Sequence, residues 1–482
     1  MLLLSKYNSL LLLAIIFLQT GCHLKRNNTE QKNIKAAALK VDVDILVKTL
    51  EEAHPGLYWY SDKKDMDSYF DSVKASIKHD MTRIQFFKVL LPVIANINCV
   101  HTSLSLPKEI SSTDVHQLTN LLPFDFFCKE GKVYIQKSFA GKMVEASEVL
   151  SINNIEMKEI ISKLLQRLPA DGYNETYKYH ILTKGAFIKG YALFFGQPAN
   201  FILQTKDSSN QLHTFSVQAI SPKKHIPTFV TLPAFSLTFI KSTAILSLNS
   251  FEVETKKFKD SLETIFQAIN QNGAKQLIID IRKNGGGVND NLSILYSFLA
   301  TAPFQHLREA EMVASTLTYS SFISNYKSIA RFSNGSKAIG VYSVNGKYAG
   351  TKTNNPVRQN LFNGNVILLT SGNTTSAASE FAAIFHFLQR GKIVGEETGG
   401  GYYGATGGHY LNLSLPNSGL EVRIPTIRIF TAVKEDFNQQ PKGRGTFPDY
   451  QISPTINDIL CQKDVQLDKA LQVLTKLKNS EK

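Results

Sequence analysis

Apolar residues recur every three or four positions in the first part of the folded body, and then the rhythm changes. From Val41 to Ile94 the spacing is helical: Val43, Leu46, Val47 and Leu50 share a stripe, and Thr82 with Gln85 forms a capping box ahead of Phe86, Phe87, Leu90 and Leu91. Around 98–107 apolar and polar residues begin to alternate, which puts His101 at a helix-to-strand transition. Residues 118–220 read as β-rich, with a strand, an Asn153-Asn154 turn and a helix start predicted between Glu148 and Ile161. From about Thr228, short apolar strands alternate with amphipathic helices. A strand at 244–248 precedes a helix striped by Phe258, Leu262, Ile265, Phe266 and Ile269 and closed by Gly273. Strands at 277–280, 366–369 and 393–395 follow, separated by helices around 292–299 and from Ala377 to Gln389. Such alternation predicts an α/β fold with a mainly parallel sheet. Ligands of these sheets bind at the carboxyl ends of the strands.

Two of those strand ends carry candidate chemistry. The strand at 277–280 runs into Ile281-Arg-Lys-Asn-Gly-Gly-Gly287, a loop whose glycines let backbone amides turn inward. The strand at 366–369 runs into Thr370-Ser-Gly-Asn-Thr-Thr-Ser-Ala-Ala-Ser379, which places Ser376 where strand gives way to helix. A serine there is either a nucleophile or a helix N-cap, a role for which Thr374, Thr375 and Ser379 also qualify. A glycine loop beside Ser376 would make an oxyanion hole.

The chain has 482 residues, 43% of them hydrophobic and 19% charged, enough for two or three globular domains. Its formal charge of +13 is scattered, without an aromatic-plus-basic motif, so no nucleic-acid partner is expected. One asymmetry is local: Val313 to Ser379 has no acidic residue but carries Lys327, Arg331, Lys337, Lys347, Lys352 and Arg358. Lining a cleft, it would favour an anionic group such as a peptide carboxylate; otherwise it is an ordinary basic face. The apolar run Leu10–Leu18 suits a signal peptide rather than a membrane span, and Gln19-Thr-Gly-Cys22 resembles a bacterial lipobox. That motif implies a lipidated Cys22, a polar tether over 22–36 and a protein anchored in the bacterial cell envelope, on an outer membrane facing periplasm or cell surface. Cys99, Cys128 and Cys461 have no metal-site spacing and read as buried thiols.

Taken together, four segments resemble the C-terminal-processing and tricorn-type serine peptidases. They are Leu277–Gly287; Thr375–Phe381 with the downstream Ile393-Val-Gly-Glu-Glu-Thr-Gly-Gly400; Cys99-Val-His-Thr102; and Gly443-Arg-Gly-Thr-Phe-Pro-Asp449. The resemblance implies a catalytic core of crotonase-like ββα units over 228–470, after a helical N-terminal domain (37–110) and a β-rich, degenerate PDZ-like module (118–220). It implies acyl transfer without metal or cofactor, with Ser376 as nucleophile, His101 as general base and the amides of Gly286 and Ala377 as oxyanion donors. The family's lysine-dependent members carry a lysine after the nucleophile, whereas this chain reads Thr398-Gly-Gly-Gly-Tyr-Tyr-Gly404. The histidine-containing, tricorn-like branch is therefore the better match. Ser379 stands where the family has glutamate, with Glu380 next to it. The acid that should orient His101 is left unassigned: Lys442 takes the expected place, with Glu435 and Asp436 nearby, and His409 follows Gly407-Gly408 in an expected hairpin. The implied substrate is a peptide or unfolded protein tail. The competing reading is a non-catalytic protein that binds apolar or peptide ligands on the same fold; a weaker one, an esterase, lacks the Gly-x-Ser-x-Gly elbow.

Overall fold

The structure, a computed structural model, describes residues 33–107, 118–141, 144–224, 232–312, 316–327, 353–357 and 359–480. The signal peptide, Cys22 and the cations Arg331, Lys337, Lys347, Lys352 and Arg358 lie outside the described residues.

The site is organised by a six-stranded sheet in the order Tyr450–Gln451, Lys392–Gly395, Asn365–Thr370, Gln276–Asp280, Thr243–Leu248 and Phe235–Ile240. The first five strands are parallel and the last closes the edge as an antiparallel hairpin. Its inner strands carry continuous apolar runs, such as Leu277–Ile279 and Val366–Leu369, because both faces are covered. Leu277, Ile279, Val366 and Leu368 pack with the helices Thr255–Gln271, Asn289–Ser297 and Ala377–Phe387. Ile278, Ile367 and Leu369 point the other way, onto Ala470, Val473 and Leu474 of the C-terminal helix Val465–Ser480. Helix boundaries follow local signals: Glu254 accepts the amides of Lys256 and Lys257 at one helix start, and Gly273, at φ +71, follows its end.

The three N-terminal helices, Ala36–Ala53, Lys63–Ser76 and Arg83–Asn96, include the capping box at Thr82 and Gln85. Their apolar faces complete a core with Leu411, Leu413, Val422 and Ile424 from the long strands Gly404–Ser414 and Glu421–Thr431. Just beyond His101, Ser103–Ser105 pairs with Glu421–Arg423 of the same ribbon. The histidine segment is thus stitched to strands more than 300 residues later in the chain.

Between these parts, Phe124–Lys129, Lys132–Ser138, Glu148–Ile152, Asn200–Lys206 and Leu212–Gln218 form an antiparallel sheet, packed with the helices Met157–Leu165 and Phe187–Phe195. Asn153 and Asn154 both take positive φ (50° and 63°), the turn that their side chains favour. The module expected to be PDZ-like is thus an antiparallel sheet with helices.

His409 lies, as expected, in a hairpin, Gly404–Ser414 paired antiparallel with Glu421–Thr431, and Gly407-Gly408 sits at its bulge, where the register shifts between Gly407 and Tyr410. Gly408, at φ +74, admits the extra residue. Cys99 and Cys128 are buried as expected, but Cys461 is exposed, one residue beyond the short helix Ile456–Leu460.

Candidate active site

The glycine loop and the Ser376 turn leave adjacent parallel strands, so they emerge side by side at the carboxyl edge of the sheet. Side-chain hydroxyls then rivet one loop to the other. Ser371 Oγ donates to the Arg282 carbonyl (2.6 Å), Thr374 Oγ1 to that of Ile281 (3.0 Å) and Thr375 Oγ1 to that of Gly285 (3.0 Å). Arg282 anchors the base of the loop through a fork onto Asp280 and Asp464. The Ser/Thr richness that offered several cap candidates therefore serves to join two loops.

Ser376 is the exception. Its side chain makes no capping bond to the helix Ala377–Phe387, and no hydrogen bond of its hydroxyl is found among the described residues. Its backbone sits at φ +54 and ψ −133, a conformation that costs a non-glycine residue about 1–3 kcal/mol. Ser379 donates its hydroxyl back to the Ser376 carbonyl at 2.7 Å, so the helix starts normally without the family's glutamate. The amide of Ala377, first residue of that helix, has no intrahelical acceptor and is a ready oxyanion donor.

The second expected donor needs correction. The Gly286 amide is given to Asn284 Oδ1 at 2.8 Å, so in this conformation it is not free for an oxyanion. Gly286 contributes through its missing side chain: at φ +101, a Cβ there would stand 2.6 Å from Ser376 Cβ.

His101 reaches the site through a second glycine ribbon. A Cβ on Gly400 would lie 3.0 Å from the Ser376 amide, and the next amide, that of Gly401, donates to Asp171. One polar side-chain atom from each of Asp171, His101 and Cys99 lies within 4.8 Å of the other two. The Ser376 turn and the histidine thus flank the same short ribbon. Burial pulls the His101 imidazole down to about 4, with Arg423 adding to the shift and the Thr406 backbone opposing it. At neutral pH the ring is uncharged and able to accept a proton.

The acids considered from sequence lie elsewhere. Glu435 is exposed and pairs with Arg308 at 3.5 Å, while Asp436 accepts from the amides of Asn438 and Gln439. Sequence reasoning missed Asp171, whose Asp-Gly pair looks like an ordinary turn. It also left Glu397 without a role. Glu397 is buried and takes both arms of Arg444, the Gly445 amide and Asn174 Nδ2, which pins the closing segment to the Gly399–Gly401 ribbon. One turn beyond Ser376, Glu380 is 2% exposed and receives Asn289 Nδ2 at 3.2 Å; burial pushes its carboxyl up to about 7.

Comparison with known proteins places this geometry. No curated protein matches the sequence. The fold is similar to that of mature CPAF, at 13% identity and a TM-score of 0.61 over 92% of this chain and 96% of that one. It is also similar to mature CPAF complexed with lactacystin (14%, TM-score 0.61, 92% and 98%) and to a CPAF mutant (12%, TM-score 0.63, 92% and 96%). At such identities the likeness is one of fold. Residues 242–452, which hold the parallel sheet, the glycine loop and the Ser376 turn, match peptidase family S41. Over those residues the chain carries the core of that family, the tail-specific serine-type peptidases, and such a core implies a peptide or protein substrate.

Proposed function

We propose that this protein is an exported, lipid-anchored endopeptidase that cuts peptides or unfolded protein tails with Ser376 as nucleophile and His101 as general base. The observation that carries the reading is the Ser376 hydroxyl, uncommitted at a strained turn where its neighbours are all tied down. Ser376 Oγ attacks the scissile carbonyl carbon while its proton passes to the neutral His101 ring. The oxyanion accepts the Ala377 amide, and a single donor of this kind is worth about 3 kcal/mol. As the tetrahedral intermediate collapses, the C–N bond breaks and His101 returns the proton to the leaving amine. Water, deprotonated by the same ring, then releases the acid product and restores Ser376.

A fluorophosphonate probe tests the assignment. It is expected to label the wild-type protein at Ser376, to leave Ser376→Ala unmodified, and to react about 100- to 10,000-fold more slowly with His101→Ala. Labelling that persists in Ser376→Ala sinks the nucleophile, and a wild-type protein inert from pH 6 to 9 favours ligand binding over catalysis.

Anchoring rests on the apolar run Leu10–Leu18 followed by Gly21-Cys22. A Cys22→Ser protein is expected to move from the membrane fraction to the soluble fraction after cell lysis. Unchanged partition excludes lipidation at Cys22.

A further inference from the structure

We propose that Asp171 is the positioning residue for His101, so that the general base is assembled only while the module over 118–220 is seated against the rest of the molecule. This rests on His101 being the base. It assigns the missing acid to a segment between the helices Met157–Leu165 and Glu175–Ile181, outside every motif of the catalytic core.

Two buried polar atoms of this cluster are without partners. His101 Nδ1 and Asp171 Oδ2 are both sealed from solvent and lack a hydrogen-bond partner among the described residues, although they belong to one cluster. Leaving a buried polar atom unsatisfied costs about 1–3 kcal/mol, more for a charged group, so two such atoms on residues whose polar groups approach within 4.8 Å favour a bond once a small shift brings a proton between them. The rest of Asp171 is held in place for this. Its Oδ1 accepts the amide of Val100, the residue before His101, at 3.0 Å, and the Gly401 amide supports the same carboxyl. Of the ring's neighbours, the Thr406 backbone also bonds it, whereas Cys99 Sγ contacts Thr406 Oγ1 at 2.7 Å and His54 bonds Thr102 Oγ1 and the Gly56 amide.

The segment that carries Asp171 is clamped from two sides. The Gly172 amide donates to Asn98 O at 2.9 Å, at the end of the N-terminal helices, and the Tyr173 amide to Gly443 O at 2.7 Å, in the closing segment. Gly172 sits at φ +60, with no room for a Cβ against Gly443. Tyr173 Oη donates to Tyr60 O at 2.5 Å, tying the same turn to the first inter-helix loop. A shift of the middle module therefore withdraws the acid from the base.

Asp171 ionised and accepting from Nδ1–H fixes the tautomer whose Nε2 takes the Ser376 proton. Burial raises the Asp171 carboxyl to about 7 and lowers the His101 ring to about 4, so between those limits both are neutral and the ionised acid forms near pH 7. The other titratable or charged groups that face the pair are Cys99, Arg423, Tyr60, Tyr177, Tyr410 and His54.

Asp171→Asn tests the role, because an amide keeps the acceptor for Val100 but turns an N–H toward Nδ1 and so selects the wrong tautomer. In the full-length protein, kcat on an unstructured peptide is expected to fall about 1,000- to 10,000-fold with KM within a few-fold, and the rise of kcat/KM near pH 7 to disappear. Nitrogen NMR of wild type at pH 8 is expected to show His101 protonated on Nδ1. A folded Asp171→Asn protein with wild-type rate and pH profile overturns the proposal, as does an Nε2–H tautomer in the wild type. If wild type labels at Ser376 and Asp171→Asn labels equally fast, Asp171 alone is wrong; if wild type does not label, the Ser376 assignment fails first.

Discussion

Ser376 and Glu380 stand one helical turn apart and owe their chemistry to opposite circumstances. The hydroxyl is defined by what it does not touch. A nucleophile and a helix cap both call for a serine between strand and helix, and only φ +54 and the absent capping bond separate them. Glu380 is defined by burial, which raises its carboxyl from the usual 4.5 to about 7. Whatever the protonated carboxyl contributes to folding is fully present below pH 4.5 and is lost as pH rises through about 7, because the unfolded chain ionises first. The full shift corresponds to about 3 kcal/mol. A Glu380→Gln protein, which still accepts from Asn289, is therefore expected to gain Tm relative to wild type between pH 4.5 and 8. Thermal unfolding across that range checks it; a constant difference means that the carboxyl is not held protonated.

The elements around these residues were legible because their causes are local. The apolar runs over 277–280 and 366–369, the stripe from Phe258 to Ile269 and the capping box at Thr82 each act within a few residues of themselves, and the strands and helices appear where the pattern put them. The glycine loop was legible as a loop but not in its detail. Three glycines in a row have different jobs: a Cβ on Gly285 meets nothing closer than Thr375 Oγ1 at 3.9 Å, while one on Gly286 collides with Ser376 at positive φ. Gly285→Ala is expected to leave Tm within a degree or two, and Gly286→Ala to lose about 2–4 kcal/mol of stability from backbone strain and overpacking. Fluorophosphonate labelling read alongside Tm shows whether the nucleophile turn is lost with it; equal behaviour of the two variants refutes this division.

On the scale of the whole molecule, the candidate site draws on segments that no local pattern connects. His101 ends the N-terminal helices, Ser376 and Gly286 leave the parallel sheet, Asp171 belongs to the middle module, and Glu397 with Arg444 locks the closing segment behind them. The sequence by itself determined the alternation of strands and helices, the glycine loop, a serine at a strand-to-helix junction and a histidine at a change of rhythm, since backbone preference and apolar periodicity are written within a turn or two. Packing alone settled which hydroxyl stays uncommitted, that the Gly286 amide is taken by Asn284, and that Asp171 rather than Glu435 or Asp436 lies within 4.8 Å of the histidine. Those outcomes depend on which side chains arrive next to one another after packing, and an Asp-Gly pair has the same local physics whether it turns toward solvent or toward a buried imidazole.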